Sequence, residues 1–127
     1  MREIEFRGQN INGYWAYGNL AIIKEKLYRA EIGTYISNSA GAPFAYQVRP
    51  ETVGQYTGLK DKNGKKIFEG DIVNCMFFDR MVGSIVGVIN YVDCVWAVSD
   101  FKNKLLYQLI DVDNIEVIGI IHENLDL

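Results

Sequence analysis

The sequence predicts a mainly β chain: N-terminal antiparallel strands packed on a small C-terminal barrel of short strands. Three observations carry this. Runs of aromatic and β-branched residues recur at about ten-residue spacing, each bounded by Gly, Asn, Asp or Pro. The aromatic load of 8 Tyr, 6 Phe and 2 Trp against 3 Met suits pleated, half-buried surfaces. Turn dipeptides that tolerate positive φ, Asn12-Gly13 and Asn63-Gly64, sit between such runs.

The elements follow in order. Arg2, Ile4 and Phe6 alternate with Glu3, Glu5 and Arg7, the period-two pattern of a half-buried strand with Ile and Phe inward. Asn12-Gly13 turns the chain into a strand over Tyr14–Ile23, where Gly18 marks a bulge or a close backbone approach. Lys24–Lys26 is a charged turn, and Leu27–Ser37 reads as the next strand. A helix through 20–32 is the competing reading, because Leu20, Ile23, Leu27 and Ala30 also keep helical spacing; Gly33, Thr34 and Tyr35 favour the strand. Asn38–Pro43 is a small-residue loop. Phe44, Tyr46 and Val48 then alternate with Ala45, Gln47 and Arg49, and Pro50 holds Arg49 extended and closes that strand.

The second half is more regular. Thr57-Gly58 turns the chain, Asp61–Gly64 supplies a hairpin loop, and Glu69-Gly70-Asp71 makes a corner into the strand Ile72–Phe78. Asp79–Met81 turns and Gly83 allows a bulge. Ser84–Val92 and Cys94–Val98 pair around Asp93, and Lys102–Lys104 is a hairpin tip. Leu105–Ile110 is a strand, Asp111–Asn114 a corner, and Ile115–Ile121 the last strand. A strand that leaves a corner, a three-strand meander and a short closing strand suit an SH3-like small barrel. The division expected is an N-terminal β region, residues 1–50, and a barrel region, residues 51–127, with the Pro50–Leu59 corner between them.

Composition narrows the function classes. Hydrophobic residues make up 49% and charged residues 23%, an ordered globular chain rather than a disordered one. Residues 1–50 carry six Lys/Arg and four Asp/Glu (+2), and residues 51–127 carry seven and twelve (−5), which sum to the net −3. Neither half is a basic nucleic-acid footprint. MREIEFRG lacks the apolar core of a signal peptide, and no apolar run approaches the ~18 residues that span a bilayer, so a cytoplasmic location without membrane association is expected. Cys75 and Cys94, the only two cysteines, fit no metal-ligand spacing and read as reduced, small core residues.

The run from Thr52 to Val73, TVGQYTGLKDKNGKKIFEGDIV, resembles the hallmark segment of the YopX family, small proteins encoded by phages and prophages of Gram-positive bacteria. EIEFRG and WAYGNL near the start, and EVIGIIHENLDL at the end, resemble the family's terminal signatures. Ile120 stands where Asn is common there, and Leu125 where Pro is common. The resemblance implies a largely β fold with an SH3-like part, a bacterial host cytoplasm, and no defined catalytic residue or cofactor.

Candidate chemistry is sparse. His122 is the only histidine, so Cys75 or Cys94 with His122 is the only nucleophile–base pair available, and burial among strand residues raises a thiol pKa. Glu69, Asp71, Asp111, Asp113 and Glu116 could gather a cation, but Asp111–Asn114 lacks the Gly and distal Glu of a calcium loop. Asp71 reads instead as the acceptor for the N–H groups of its corner. Gly54, Gly58, Gly64 and Gly70 match no phosphate-loop spacing and answer to turns. Gly58, Asn63, Gly64, Gly70 and Asp71 are therefore structural corner residues. Lys60, Lys62, Lys65 and Lys66 gather on one hairpin flanked by Tyr56 and Phe68, a candidate nucleic-acid contact diluted by Asp61, Glu69 and Asp71. The expectation is a chain without enzymatic activity or cofactor. It acts as a protein–protein or self-assembly module, a homo-oligomer or the partner of a phage or host protein, with nucleic-acid binding through the lysine hairpin as the alternative.

Overall fold

A computed structural model describes residues 3–26, 28, 31–38, 45–77, 84–102 and 104–123. The chain divides into two compact units, Met1–Tyr56 and Thr57–Leu127. The mainly β expectation holds: the regular elements are antiparallel strands and two short 3-10 turns, with no α-helix among the described residues.

The first unit holds β1 (Phe6–Gln9), β2 (Trp15–Ile23), β3 (Gly33–Ser37), β4 (Ala45–Val48) and the start of β5 (Gly54–Lys60), in the order β4-β3-β2-β1-β5. Asn12-Gly13 forms the tight turn its composition calls for, with Gly13 at φ 89°. Asn10 completes it: its Oδ1 accepts the N–H groups of Asn12 and Tyr14, both at 2.9 Å. Gly18 marks a close backbone approach, since a Cβ there would lie 2.2 Å from the Ser37 carbonyl oxygen.

Two readings of this unit need correction. β1 does not alternate: Phe6 is half-buried, Arg7, Gly8 and Gln9 are all buried, with Arg7 at 3% exposure, and Ile4, ahead of the strand, is 56% exposed. β1 is paired on both edges, by β2 and β5, and the Arg7 guanidinium lies 5.0 Å from the Trp15 ring centroid. An aromatic face thus covers a side chain that alternation alone assigns to solvent. The helical alternative also fails over its first turn, because β2 runs unbroken to Ile23 and pairs with β3 from Asn19↔Ser37 to Ile23↔Gly33. β3 starts at Gly33 rather than Leu27. Leu27, Arg29, Ala30 and residues 39–44, with most of the loop and the strand start at Phe44 read there, lie outside the described residues. β4 shows the expected alternation, with Val48 buried and Ala45 and Gln47 exposed. Pro50 then opens a 3-10 turn, Pro50–Thr52, after an extended Arg49. Thr52 Oγ1 accepts the Gln9 N–H at 2.9 Å, and the Arg49 N–H donates to the Gln9 carbonyl, fastening the end of β4 to the end of β1.

The second unit holds the rest of β5 with β6 (Lys66–Phe68), then β7 (Asp71–Phe77), β8 (Ser84–Val92), β9 (Val95–Asp100), β10 (Leu106–Gln108) and β11 (Val112–Ile120). The last five make an antiparallel sheet of order β10-β9-β8-β7-β11: a meander whose closing strand returns to β7 after the 3-10 turn Leu109–Asp111. Ile67, Val73, Ile85, Ile89, Val98 and Leu109 form its core with Cys75 and Val112. The sheet is open, with β10 and β11 at its two edges, where the sequence reading expected a closed barrel.

Local assignments shift for identifiable reasons. Thr57-Gly58 does not turn; both residues stay in β5, where Gly58 takes φ 90° and Thr57 Oγ1 donates to the Ile67 carbonyl. Leu105–Ile110 shortens to β10, since Leu109 leaves the strand to be buried in the core at 2% exposure. The corner expected at Asp111–Asn114 divides between the 3-10 turn, which ends at Asp111, and β11, whose pairing with β7 shifts register between Asp113 and Glu116, with Asn114 at φ 53°. Cys94 is not a core residue. With Asp93 it forms the two-residue β8–β9 turn at φ 50° and 67°, and it is exposed, whereas Cys75 is buried as expected. Positive φ at both central positions is what such a hairpin requires. Residues 78–83 and Asn103, with the turns and bulge read there, lie outside the described residues.

Candidate binding hairpin

The hairpin Lys60–Lys66 is built around Asp61. The Asp61 N–H donates to the Lys65 carbonyl at 2.7 Å, and Gly64, at φ 83°, donates to the Asp61 carbonyl at 3.0 Å. Asp61 Oδ1 accepts the N–H groups of Asn63 and Lys65 at 2.8 and 2.9 Å. Its Oδ2 accepts the N–H of Val117, 56 residues along the chain, at 3.0 Å. The Lys62 N–H donates to the Ile115 carbonyl at 2.8 Å. The hairpin tip is thereby docked on β11, and Asp61 is 8% exposed. Burial pushes the Asp61 carboxyl up, but the N–H donors of Val117, Lys65 and Asn63, with the Lys65 charge, outweigh it and hold the pKa below the ordinary value. Of the two turn residues read as suited to positive φ, only Gly64 adopts it.

The lysines are gathered as their spacing predicts, but their surroundings are those of a structural hairpin. Lys60, Lys62 and Lys65 are exposed and Lys66 is half-buried. Lys62 Nζ is paired with Glu116 at 2.9 Å. Tyr56 and Phe68, read as flanking aromatics, are 7% and 3% exposed, so neither offers a ring face on which a base could stack. Beside the hairpin a depression of about 260 Å³ is lined by Lys60, Lys62, Val112 and Ile115.

The remaining candidates resolve into corners. Asp71 is fully buried and its Oδ2 accepts the Phe68 N–H at 2.8 Å, as read from the sequence. Gly70, at φ 90°, donates to the Ile89 carbonyl and accepts from the Ile121 N–H, both at 2.8 Å, which docks the start of the C-terminal tail. Asp100 repeats the Asp61 device at the β9–β10 hairpin, its Oδ1 accepting the Lys102 N–H at 2.9 Å. No group of three or more His, Cys, Asp or Glu able to hold a metal occurs among the described residues. Burial, reinforced by the Asp100 charge, pushes the Cys75 thiol up to about 11, so it is protonated at neutral pH.

Asp61 is the residue that sequence reading missed. The sequence reading makes it the first residue of the hairpin loop and a charge diluting the lysines, not the group that holds the hairpin. Its place four residues before Lys65, with Asn63-Gly64 between, is the signal of an Asx-turn hairpin. The bond to Val117 has no local signal.

The chain matches the family model described as YopX protein over residues 5–127 and therefore belongs to the YopX family. No curated protein matches it.

Proposed function

We propose that this YopX-family chain is a non-enzymatic binding module that associates with protein, a further copy of itself or a phage or host protein in the bacterial cytoplasm, through the open β10 edge of its C-terminal sheet. One observation carries the reading: Leu105–Ile110, LLYQLI, holds no charge and no Pro, and it borders a sheet edge. Leu105, Leu106 and Ile110 are 52%, 55% and 72% exposed. Sheet edges are ordinarily blunted by Lys, Pro or a covering element, and an apolar edge lacking them pairs readily with another chain. The meander, the 3-10 turn and the return of β11 to β7 also suit an SH3-like reading of this unit.

Light scattering after size exclusion at roughly 50 µM tests self-association, and a pull-down from infected host lysate tests a heterologous partner. Association is expected for the wild-type chain and is lost on Leu106→Lys, with circular dichroism unchanged. A plain monomer with no captured partner, or association indifferent to Leu106→Lys and Ile110→Lys, would refute it. The nucleic-acid alternative is weaker, because the flanking aromatics are buried and Lys62 is paired. It calls for salt-sensitive binding of DNA or RNA that is lost when Lys62, Lys65 and Lys66 become Glu.

A further inference from the structure

We infer that the first unit carries a site for a neutral saccharide, in the concavity beside the β1–β2 hairpin. The concavity has a volume of about 350 Å³ and is lined by Tyr14, Trp15, Tyr17 and Tyr46, with the carboxamides of Asn10 and Asn38. That volume is at the lower end of the ~300–1,000 Å³ of small-ligand sites. Tyr14 is 73% exposed and Tyr17 44%, a large aromatic surface left in water on a hairpin that needs neither ring for its turn.

The chemistry selects the ligand class. A pyranose presents an apolar C–H face, which stacks on an aromatic ring, and a rim of hydroxyls, which pair with phenols and carboxamides that both donate and accept. Both kinds of partner converge here. Two of them are held in place beforehand. The buried Arg7 guanidinium lies 5.0 Å from the Trp15 ring centroid, and the Asn10 Oδ1 is held by the N–H groups of Asn12 and Tyr14, which leaves its NH₂ to donate. Groups ordered in advance lose less entropy on binding.

Charge argues against the rivals. The lining holds no Asp, Glu, Lys, Arg or His. A nucleic-acid strand needs exposed cations along its backbone, and Arg7, at 3% exposure, is not one. A cationic ligand would compete with Arg7 for the Trp15 ring and meet no carboxylate in the lining. A proline-rich strand would use the rings but bring only carbonyl acceptors to the phenols and carboxamides, whereas a saccharide rim both donates and accepts.

The indole N–H resonance of Trp15 reports binding, and Trp96→Phe identifies it, since the chain has two tryptophans. Titration of the full chain with maltotriose, cellotriose and triacetylchitotriose is expected to shift that resonance saturably for at least one sugar. Tyr14→Ala and Tyr17→Ala, both at exposed positions, are expected to weaken binding at least tenfold while leaving the rest of the spectrum in place. Failure of all three sugars to shift Trp15 at 10 mM overturns the inference. So does binding that survives both substitutions, and so does saturation by decaproline or an oligothymidylate with no response to the sugars.

Discussion

Replacing Asp61 tests most directly how the lysine hairpin is held. In Asp61→Asn the Oδ1 remains to accept the Asn63 and Lys65 N–H groups, at 2.8 and 2.9 Å in the wild type, but an amide NH₂ now faces the Val117 N–H in place of Oδ2. Donor meets donor. A hydrogen bond to a charged acceptor contributes about 1.5–3 kcal/mol, so this variant should lose about 2 kcal/mol. Asp61→Ala removes all three bonds, but water can reach the exposed hairpin N–H groups, so the loss should be about 3 kcal/mol rather than three times the single value. Urea denaturation read by Trp96 fluorescence in a Trp15→Phe background measures both. The pH dependence supplies a second check. The folded-state pKa of Asp61 lies below its unfolded value, so its contribution is complete above the unfolded pKa and disappears as pH falls through the folded pKa. The gap between wild type and Asp61→Asn should therefore be constant from neutral pH down to about pH 5 and shrink below about pH 4. An Asp61→Asn variant within 0.5 kcal/mol of wild type at neutral pH, or a gap that persists in acid, would refute the reasoning (a threshold of about the error of such measurements).

Other outcomes follow from the same geometry. Ellman's reagent should titrate Cys94 rapidly and Cys75 only after denaturation, because one thiol is exposed and the other is buried with its pKa raised to about 11. Gly87→Ala should destabilise the second unit by about 2–3 kcal/mol in the same urea assay, since the new Cβ would lie 2.3 Å from the Ser99 carbonyl oxygen of the paired strand. Gly64→Ala, with nothing within 4 Å but φ +83°, should cost about 1 kcal/mol from backbone strain alone. Lys62→Ala should cost less than about 1 kcal/mol despite the 2.9 Å ion pair with Glu116, because both side chains are about two-fifths exposed and water screens the attraction.

Much of the local structure was legible because its signals are local. Asn12-Gly13, Asn63-Gly64 and the Asp71 corner announce themselves in two to four residues, since turn dihedrals and Asx bonds are satisfied within that span. The Ser84–Val92 strand has the bounds its sequence predicts. The misreadings share a different cause. Thr57-Gly58 has the composition of a turn, yet pairing holds it in β5. Cys94 has the composition of a strand residue, yet the β8–β9 register places it at the tip. Of the candidate site, the clustering of Lys60, Lys62, Lys65 and Lys66 was readable. The burial of Tyr56 and Phe68 and the Lys62–Glu116 pair were not.

The sequence by itself determined the strand-rich character and the hairpin positions, because period-two patterning and turn chemistry act over a few residues, and the resemblance of its Thr52–Val73 run determined the YopX assignment. Tertiary structure alone decided which residues those hairpins bury. Arg7 goes inside because the Trp15 ring covers it, and Asp61 goes inside because Val117, on a strand more than fifty residues away, offers it an N–H. A charge placed against alternation is stable only where a distant partner replaces the water it gives up, and that partner cannot be read from neighbours in the chain.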